Sequence, residues 1–395
     1  VEKCPDKPAF SDTESSITFR QVYDIARNTG AYLVEQLGVD RTPVAVFAGR
    51  KMVTPAYFLG VVYAGRPYAP IDASLPDKRI EKILENLCPG AIVADRESRE
   101  HVESIVDELA KAEGFDRPQI FIAEDISRFE QVACADSNCK ISESAGDAVT
   151  DSENDTDGGV VAGCAGKTDD SSRDMLAVVR RQMSMTDPLY IIYTSGSTGN
   201  PKGVMTSHLS LMTYINAYCD VMHIEESDVL GNQSPLDYIA AIRDIYLPLK
   251  TGCSTAIIPK EYFMEPNALF DYMNDKKVSS VGWSVSAFTI LTSLGAFEEV
   301  GLKSLRKICF SGSVMPCRVL RKWQKNLPEA HFVNQYGPTE ATASCTYYSV
   351  DHLVEEDEVL PIGKAYDNYR VFLIDEHGNE PAVGEQGEIC VCGPI

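Results

Sequence analysis

The chain has 395 residues, which at about 100–200 residues per domain leaves room for two or three domains and a core that needs no disulfides. Hydrophobic residues at 44% and charged residues at 24% exclude a disordered or collagen-like polymer, and no apolar run reaches the roughly 18 residues of a membrane-spanning helix. The net charge of −22 is repelled by phosphate backbones and argues against a nucleic-acid binder.

In chain order, the first third alternates helix and strand signals. Thr18 with Gln21 has the spacing of a capping box. Val22, Ile25, Ala26, Leu33 and Leu37 follow at helical spacing, and Gly38 ends that helix. Val44–Ala48 reads as a buried strand, Met52–Ala64 as a helix and Tyr68–Ile71 as the next strand. Ser74 and Pro76 open another helix, with proline tolerated in its first turn, and Ala91–Ala94 is a strand after it. This alternation predicts an α/β fold, with doubly wound, mostly parallel sheets flanked by helices.

From about Glu124 to Ser184 the periodicity fades. Nine acidic side chains against two basic ones between Ile141 and Asp174, with much Ser, Gly and Thr, read as a solvated acidic insertion over about 134–184. The twelve cysteines are scattered, and Val1–Cys4 opens no secretory segment, so free thiols in a reducing cytoplasm are expected. Cys134, Cys139 and Cys164 have no histidine near them in sequence, which disfavours zinc.

Leu189–Tyr193 is a central strand, and Thr255–Ile258, Val278–Trp283 and Lys307–Phe310 continue the alternation. Beyond Tyr336, short alternating runs at Tyr347–Val350, Arg370–Ile374 and Glu388–Cys392 predict antiparallel strands and a small barrel-like region near the C-terminus.

The strongest local signal is Tyr193-Thr194-Ser195-Gly196-Ser197-Thr198-Gly199-Asn200-Pro201-Lys202-Gly203-Val204. A buried strand runs into a turn of glycines, hydroxyls and one lysine. Backbone N–H groups and hydroxyls there can donate to phosphate oxygens, and Lys202 adds positive charge. Pro201 breaks the Walker A spacing. By composition alone, an ordinary Ser/Gly surface loop remains the other reading.

The segment closely resembles the phosphate loop of the adenylate-forming superfamily, which includes acyl-CoA synthetases, luciferases and the adenylation domains of non-ribosomal peptide synthetases. Three further stretches resemble that family's motifs, in family order: Tyr63 to Asp72, Asn334-Gln335-Tyr336-Gly337-Pro338-Thr339-Glu340, and Gly384 to Gly393. The resemblance implies ATP-dependent activation of a carboxylic acid, with pyrophosphate released. ATP and Mg²⁺ are then the expected cofactors. Thr194, Ser195, Gly196, Ser197, Thr198, Gly199 and Lys202 would hold the β- and γ-phosphates, Thr339 would contact the α-phosphate, and Glu340 would ligate Mg²⁺. Thr194, Lys202, Thr339 and Glu340 are the implied catalytic set. Tyr336 would stack on adenine beside Asn334, Gln335 and Gly337. Gly312-Ser313-Val314 stands where the family has Gly-Glu-Ala, so the nucleotide contact of that glutamate is in doubt.

The overall look is to D-alanine–carrier protein ligases and stand-alone peptide-synthetase adenylation domains. It implies an amino acid substrate and a phosphopantetheinyl carrier protein as partner, with neither nucleic acid nor membrane. Asp237 lies where amino-acid-activating members carry the partner of the substrate ammonium. Its alternative is a helix N-cap ahead of Tyr238–Tyr246. Tyr238, Ala241, Trp283, Cys309, Ser311, Gln335, Ala343 and Ser344 complete the implied substrate pocket. Trp283 would shrink that pocket unless it is ordinary core, and the set shows no second charge, which argues against a charged substrate side chain. An aryl- or fatty-acid CoA ligase and a nucleotide-binding module without turnover are the competing readings. Residues 1–335 are expected to form the α/β core and 336–395 a β-rich region. The family's lid domain with its catalytic lysine would follow Ile395, so the 395 residues alone are expected to adenylate poorly.

Overall fold

A computed structural model describes residues 2–128, 171–195 and 199–394. Two large sheets carry the fold. The first has six strands in the order Gln119–Ile122, Ala91–Ala94, Val44–Phe47, Tyr68–Pro70, Pro188–Ser195 and Pro201–Ser207. All its pairings are parallel except the last, an antiparallel hairpin. The second has nine strands, with Ser254–Ile257, Val229–Asn232, Ser280–Ser284, Lys307–Ser311 and His331–Tyr336 as its parallel centre.

Local chemistry explains the early elements. The Thr18 hydroxyl accepts from Gln21 N–H while Gln21 Oε1 accepts from Thr18 N–H, so the capping box starts the Phe19–Leu37 helix. Gly38 closes it at φ 70°, a left-handed value that favours glycine. The Thr54–Tyr63 helix packs on it through glycine. A Cβ at Gly60 would stand 2.5 Å from the Thr29 side chain, and one at Gly30 would stand 2.6 Å from Tyr63 Cβ.

Several expectations are corrected. Pro76 is the N-cap residue of the Asp77–Leu87 helix and lies outside its first turn. A helix at Ser171–Gln182 occupies the end of the stretch expected to be an insertion; Leu176 and Val179 are buried on its apolar side. Residues 129–170, which carry most of that expected insertion, lie outside the described residues. Residue 336 is no break in the structure, because His331–Tyr336 pairs antiparallel with Thr346–Ser349, which pairs with Lys364–Ala365. The antiparallel strands expected near the C-terminus are present as read, Arg370–Ile374 paired with Glu388–Cys392 in a two-stranded sheet among the described residues.

The nine-stranded sheet separates two kinds of surroundings. Val281, Trp283, Ile308, Phe310 and Phe332 enter an aromatic core with Phe288 and Trp323. Cys309 and Val333, on the opposite face by strand alternation, join the core that holds Tyr214, Tyr218 and Tyr366. At the start of three neighbouring strands sits a buried acid. Asp228 takes Lys307 Nζ at 2.6 Å, Arg306 at 3.3 Å and the Ser279 hydroxyl at 2.7 Å. Burial opposes its charge, but hydrogen bonds from Lys307, the Glu225 N–H and Ser279 more than offset that, and its pKa lies below the ordinary value.

Two histidines have lowered pKa values. Burial lowers the pKa of His208, with Asp187 opposing and Arg41 reinforcing the shift. Burial, then the neighbouring His223, lowers that of His331, whose ring stacks on His223 at 5.9 Å. A depressed histidine pKa means that the unfolded chain binds protons first as pH falls. Stability is therefore expected to fall as pH drops below about 6.5, through the interval down to the folded-state pKa values. Urea midpoints at pH 7.5 and 5.5 measure this, and His331→Gln should flatten the difference. An unchanged difference in the variant would remove His331 from the account.

Candidate functional site

The site forms where strand ends from both sheets converge. In the hairpin of the six-stranded sheet, Thr194 pairs with Lys202 and Ser195 with Pro201. A proline at the head of an edge strand leaves no ladder donor missing, because its neighbour is the only partner. The turn is anchored from outside by the Asp77–Leu87 helix. Lys82 Nζ donates to Asn200 Oδ1 at 3.1 Å, and the Tyr193 hydroxyl donates to Asn86 Oδ1 at 2.8 Å. Gly199 adopts φ 78°, and Ser195, Gly199 and Lys202 are exposed. Gly196, Ser197 and Thr198 lie outside the described residues.

Facing this turn is the end of His331–Tyr336. The Pro201–Ser207 strand contacts the short helical turn Thr339–Ala341. Cys345 N–H donates to Tyr336 O at 2.8 Å, which folds Gly337–Ser344 into a tight loop. Gly337 is required there, because a Cβ would stand 2.5 Å from Ser344 Cα, 2.8 Å from Cys345 N and 2.9 Å from Ala343 O. Thr342 and Ala343 carry positive φ values of 51° and 72°, so this loop stores strain next to Tyr336–Glu340. The Tyr336 ring is 36% exposed and free to receive a flat partner, and Glu340 is exposed. Asn334 donates its amide to Pro361 O at 2.9 Å, so its side chain braces the loop. Gly312, Ser313 and Val314 form an exposed turn after Lys307–Ser311, with Gly312 at φ 93°.

The expected substrate residues divide. Asp237 is no helix cap: the helix begins at Ala241 behind Ala240, which makes no side-chain cap. Instead Asp237 lines a cavity of about 770 Å³ together with Asp72, Gln233, Arg50, Lys51 and Glu261. Burial, then repulsion from Asp72, raises its pKa. Tyr238 is exposed. Trp283 points away from the site: its indole donates to Gly231 O at 2.8 Å and its ring packs on Phe263, Phe288 and Trp323. It belongs to the core and does not shrink a pocket.

Gly282, the neighbour of Trp283, takes the opposite face, paired with Cys309. Ala241, Cys309, Gln335 and Ser344 are buried, and Ser311 and Ala343 are half-buried. Tyr218 and Cys309 Sγ are 3.2 Å apart.

The sequence reading places Arg243 and Asp244 near the motifs but gives Arg243 no role. Arg243 is 2% exposed and lies over Gly282, where a Cβ would stand 2.3 Å from its guanidinium carbon. Asp244 Oδ1 is 3.3 Å from its Nε, and Asp244 Oδ2 accepts from Asn232 Nδ2 at 2.9 Å. Arg50 in turn donates to Asn232 Oδ1 at 2.8 Å, so a polar chain links the cavity beside Asp237 to Arg243. Arg243 is a charge outside the set expected to line the pocket. One sequence signal was available: an Arg-Asp pair in the apolar pattern of Ala241–Leu247.

Among the described residues no group of three or more His, Cys, Asp or Glu could hold a metal, and no helix is long and apolar enough to cross a membrane. The described cysteines are free.

The chain matches the AMP-binding enzyme family over residues 1–395. The D-alanine–D-alanyl carrier protein ligase of Bacillus velezensis is 28% identical over 393 residues, 99% of this chain and 67% of that protein. The ligase of the same name from Bacillus cereus strain Q1 is 27% identical over 392 residues, again 99% and 67%. Among solved structures, the non-ribosomal peptide synthetase FmoA3 in its α-methyl-L-serine-AMP form superposes with a TM-score of 0.77 at 20% identity, covering 99% of this chain and 38% of that one. The N-terminal subdomain of Klebsiella oxytoca NpsA, in complex with 3-hydroxyanthranilyl-AMSN, gives 0.72 at 17% identity, covering 100% and 85%. These two structures share the fold and differ in the acyl group bound, so fold alone does not choose a substrate. Together with the two facing turns, the match over the whole length establishes that the chain belongs to the AMP-binding enzyme family.

Proposed function

We propose that the protein activates an amino acid as its aminoacyl-adenylate at the expense of ATP, releases pyrophosphate, and passes the aminoacyl group to the phosphopantetheine thiol of a carrier protein. The observation that carries this reading is the contact between the Pro201–Ser207 strand and the Thr339–Ala341 turn. It brings the hydroxyl-and-glycine turn and the Tyr336–Glu340 segment to one mouth. The similarity to D-alanine–D-alanyl carrier protein ligases supports the amino acid and the carrier.

The chemistry follows from charge. A substrate carboxyl with a pKa near 4 is already ionised at neutral pH, so no general base has to make the nucleophile. The barrier is the approach of an anion to a polyanion, and positioning with charge neutralisation answers it. Lys202 supplies a cation beside the hydroxyls and backbone N–H groups of the turn, which hold the β- and γ-phosphates. Thr339 donates to the α-phosphate, and the open Tyr336 face stacks on adenine. Glu340 would hold Mg²⁺, a hard ion whose remaining oxygen ligands are phosphates and water, and which would neutralise phosphate charge; a lone exposed carboxylate suits that role. Asp237 and Asp72 crowd two carboxylates at one cavity, and a substrate ammonium placed between them would relieve the repulsion that raises the Asp237 pKa.

Substrate-dependent ATP–pyrophosphate exchange, run on the protein at its natural length, tests the reading. At least one amino acid should drive exchange above aryl and fatty acids, and Asp237→Ala should lower amino acid exchange by roughly 10–100-fold, as expected for loss of a buried charge partner. Exchange driven by aryl or fatty acids alone would replace the amino acid, and no exchange with any acid would remove the activity.

A further inference from the structure

Buried arginines in this chain provide their own standard of comparison. Arg66, 2% exposed, donates through Nη1 to Thr42 O and through Nη2 to Leu37 O and Gly38 O, and pairs with Asp40. Arg50 donates to Ile258 O, Asn232 O and Asn232 Oδ1. A guanidinium has five N–H donors and cannot lose its charge; in both residues the terminal nitrogens find three acceptors, while the Nε has none.

Arg243 is as buried as Arg66, yet no backbone carbonyl accepts from it among the described residues; its neighbours are Asp244, the Tyr214 hydroxyl and the Tyr218 ring, 5.8 Å from its guanidinium carbon. Its Nε, like those of Arg50 and Arg66, is enclosed without an aligned hydrogen-bond partner. Asp244, 3.3 Å away, lies out of hydrogen-bond alignment and is shared with Asn232. The groups around Arg243 are in the same condition. Its charge acts on Tyr214 and Tyr366, and both hydroxyls are enclosed without partners. On the same face of the sheet, one pleat from the Cys309–Val333 pair toward the Tyr336–Glu340 turn, Gln335 is 2% exposed with both amide atoms unpartnered.

Each enclosed polar atom without a partner costs about 1–3 kcal/mol. An amide and two hydroxyls left so, around a cation whose one carboxylate is the shared Asp244, describe a site built for a polar ligand. The ligand must accept hydrogen bonds and carry negative charge. A carboxylate does both and matches the guanidinium fork in two parallel bonds. The reacting carboxylate of the substrate belongs at the phosphates, at the mouth, so the group at Arg243 is a second one.

We propose that Arg243 is a specificity-determining residue of the acyl site, and that its guanidinium, with the Gln335 amide, receives a second carboxylate on the acid being activated. This rests on the adenylating activity proposed above and narrows its substrate to acidic amino acids or dicarboxylic acids. Gly282 is part of the device, since any side chain there would displace the guanidinium.

The test is ATP–pyrophosphate exchange on the protein at its natural length, with aspartate, glutamate and alanine in both chiralities, and with succinate and glutarate as acids lacking the ammonium. An acid with a second carboxylate should exceed alanine by ~100-fold or more in kcat/KM, because a site built to hydrogen-bond rejects analogues that lack the group. Arg243→Met should reduce the ratio of acidic to neutral substrate by ~100-fold, Arg243→Lys should restore part of it, and Gly282→Ala should imitate the loss. The amino acids exceeding succinate and glutarate would assign an ammonium contact as well; the reverse would leave the second carboxylate as the sole requirement. Alanine or another neutral amino acid exceeding every dicarboxylate would overturn the inference and leave the adenylating activity standing. Equal losses for all substrates in Arg243→Met would also overturn it. No exchange with any acid would remove both. If Arg243→Met does not fold, the wild-type panel decides alone.

Discussion

Gly337→Ala is expected to lower adenylation by roughly 100-fold, the scale set by a misplacement of about 1 Å at a reacting centre. The cause is steric. The added Cβ would meet three backbone atoms, Ser344 Cα at 2.5 Å, Cys345 N at 2.8 Å and Ala343 O at 2.9 Å, and none of these can swing aside as a side-chain end can. The loop must therefore open. Tyr336 on one side and Thr339 with Glu340 on the other would lose their common placement, together with the Cys345 N–H to Tyr336 O hydrogen bond. Pyrophosphate exchange measures the effect, and the Gly312→Ala variant, at a position where nothing stands within 4 Å of a Cβ, is the comparison for backbone strain alone. Wild-type exchange in Gly337→Ala would mean that the loop does not position the nucleotide residues.

The second large effect is on stability. Asp228→Ala should cost about 3–5 kcal/mol, the range for removing one partner of a buried ion pair. Two cations, Lys307 and Arg306, would lose their carboxylate, and the Ser279 hydroxyl and Glu225 N–H would lose an acceptor. These groups tie the starts of Val229–Asn232, Ser280–Ser284 and Lys307–Ser311 together, so the damage lies at the end of the sheet away from the phosphate turn. Because the folded-state pKa of Asp228 is depressed, its contribution is present above the ordinary carboxylate pKa and is lost as pH falls through the lowered one. Urea unfolding at neutral pH measures the cost, and a loss under about 1 kcal/mol would place Asp228 among ordinary surface pairs.

How much of this was legible beforehand depended on whether the signal was local. The capping box at Thr18 and Gln21, the stop at Gly38 and the apolar run Ala91–Ala94 need only their own neighbours in sequence, and the structure has them as read. The strand Leu189–Tyr193 that leads into the Ser/Gly turn was legible for the same reason. The Pro201–Ser207 strand was not, because its exposed polar residues form a strand only by pairing with Pro188–Ser195. Pro8–Ser11 and Ser16–Thr18 are too short to show a period and are held by the edge of the nine-stranded sheet. The Ser171–Gln182 helix follows a long acidic stretch that hides its amphipathic pattern.

In the site, the difficulty was one of side. A strand of five residues shows that Gly282 and Trp283 face opposite ways, but not which of them faces the substrate. The tryptophan looked like a pocket wall because it is large; it lies with Phe288 and Trp323 instead. Arg243 was noted beside the motifs without a role, because only the packing of Ala241–Thr251 against Gly282 shows it enclosed.

The alternation along Ser280–Ser284 and Lys307–Ser311 has a consequence for evolution. On the proposal above, ligand selectivity lies on one face of these strands, at 282, 309 and 311, while cohesion of the protein lies on the opposite face, at 281, 283, 308 and 310. Substitutions that retune what is accepted therefore need not erode the scaffold, and a lineage can sample new acids at these three positions without first acquiring compensating changes elsewhere.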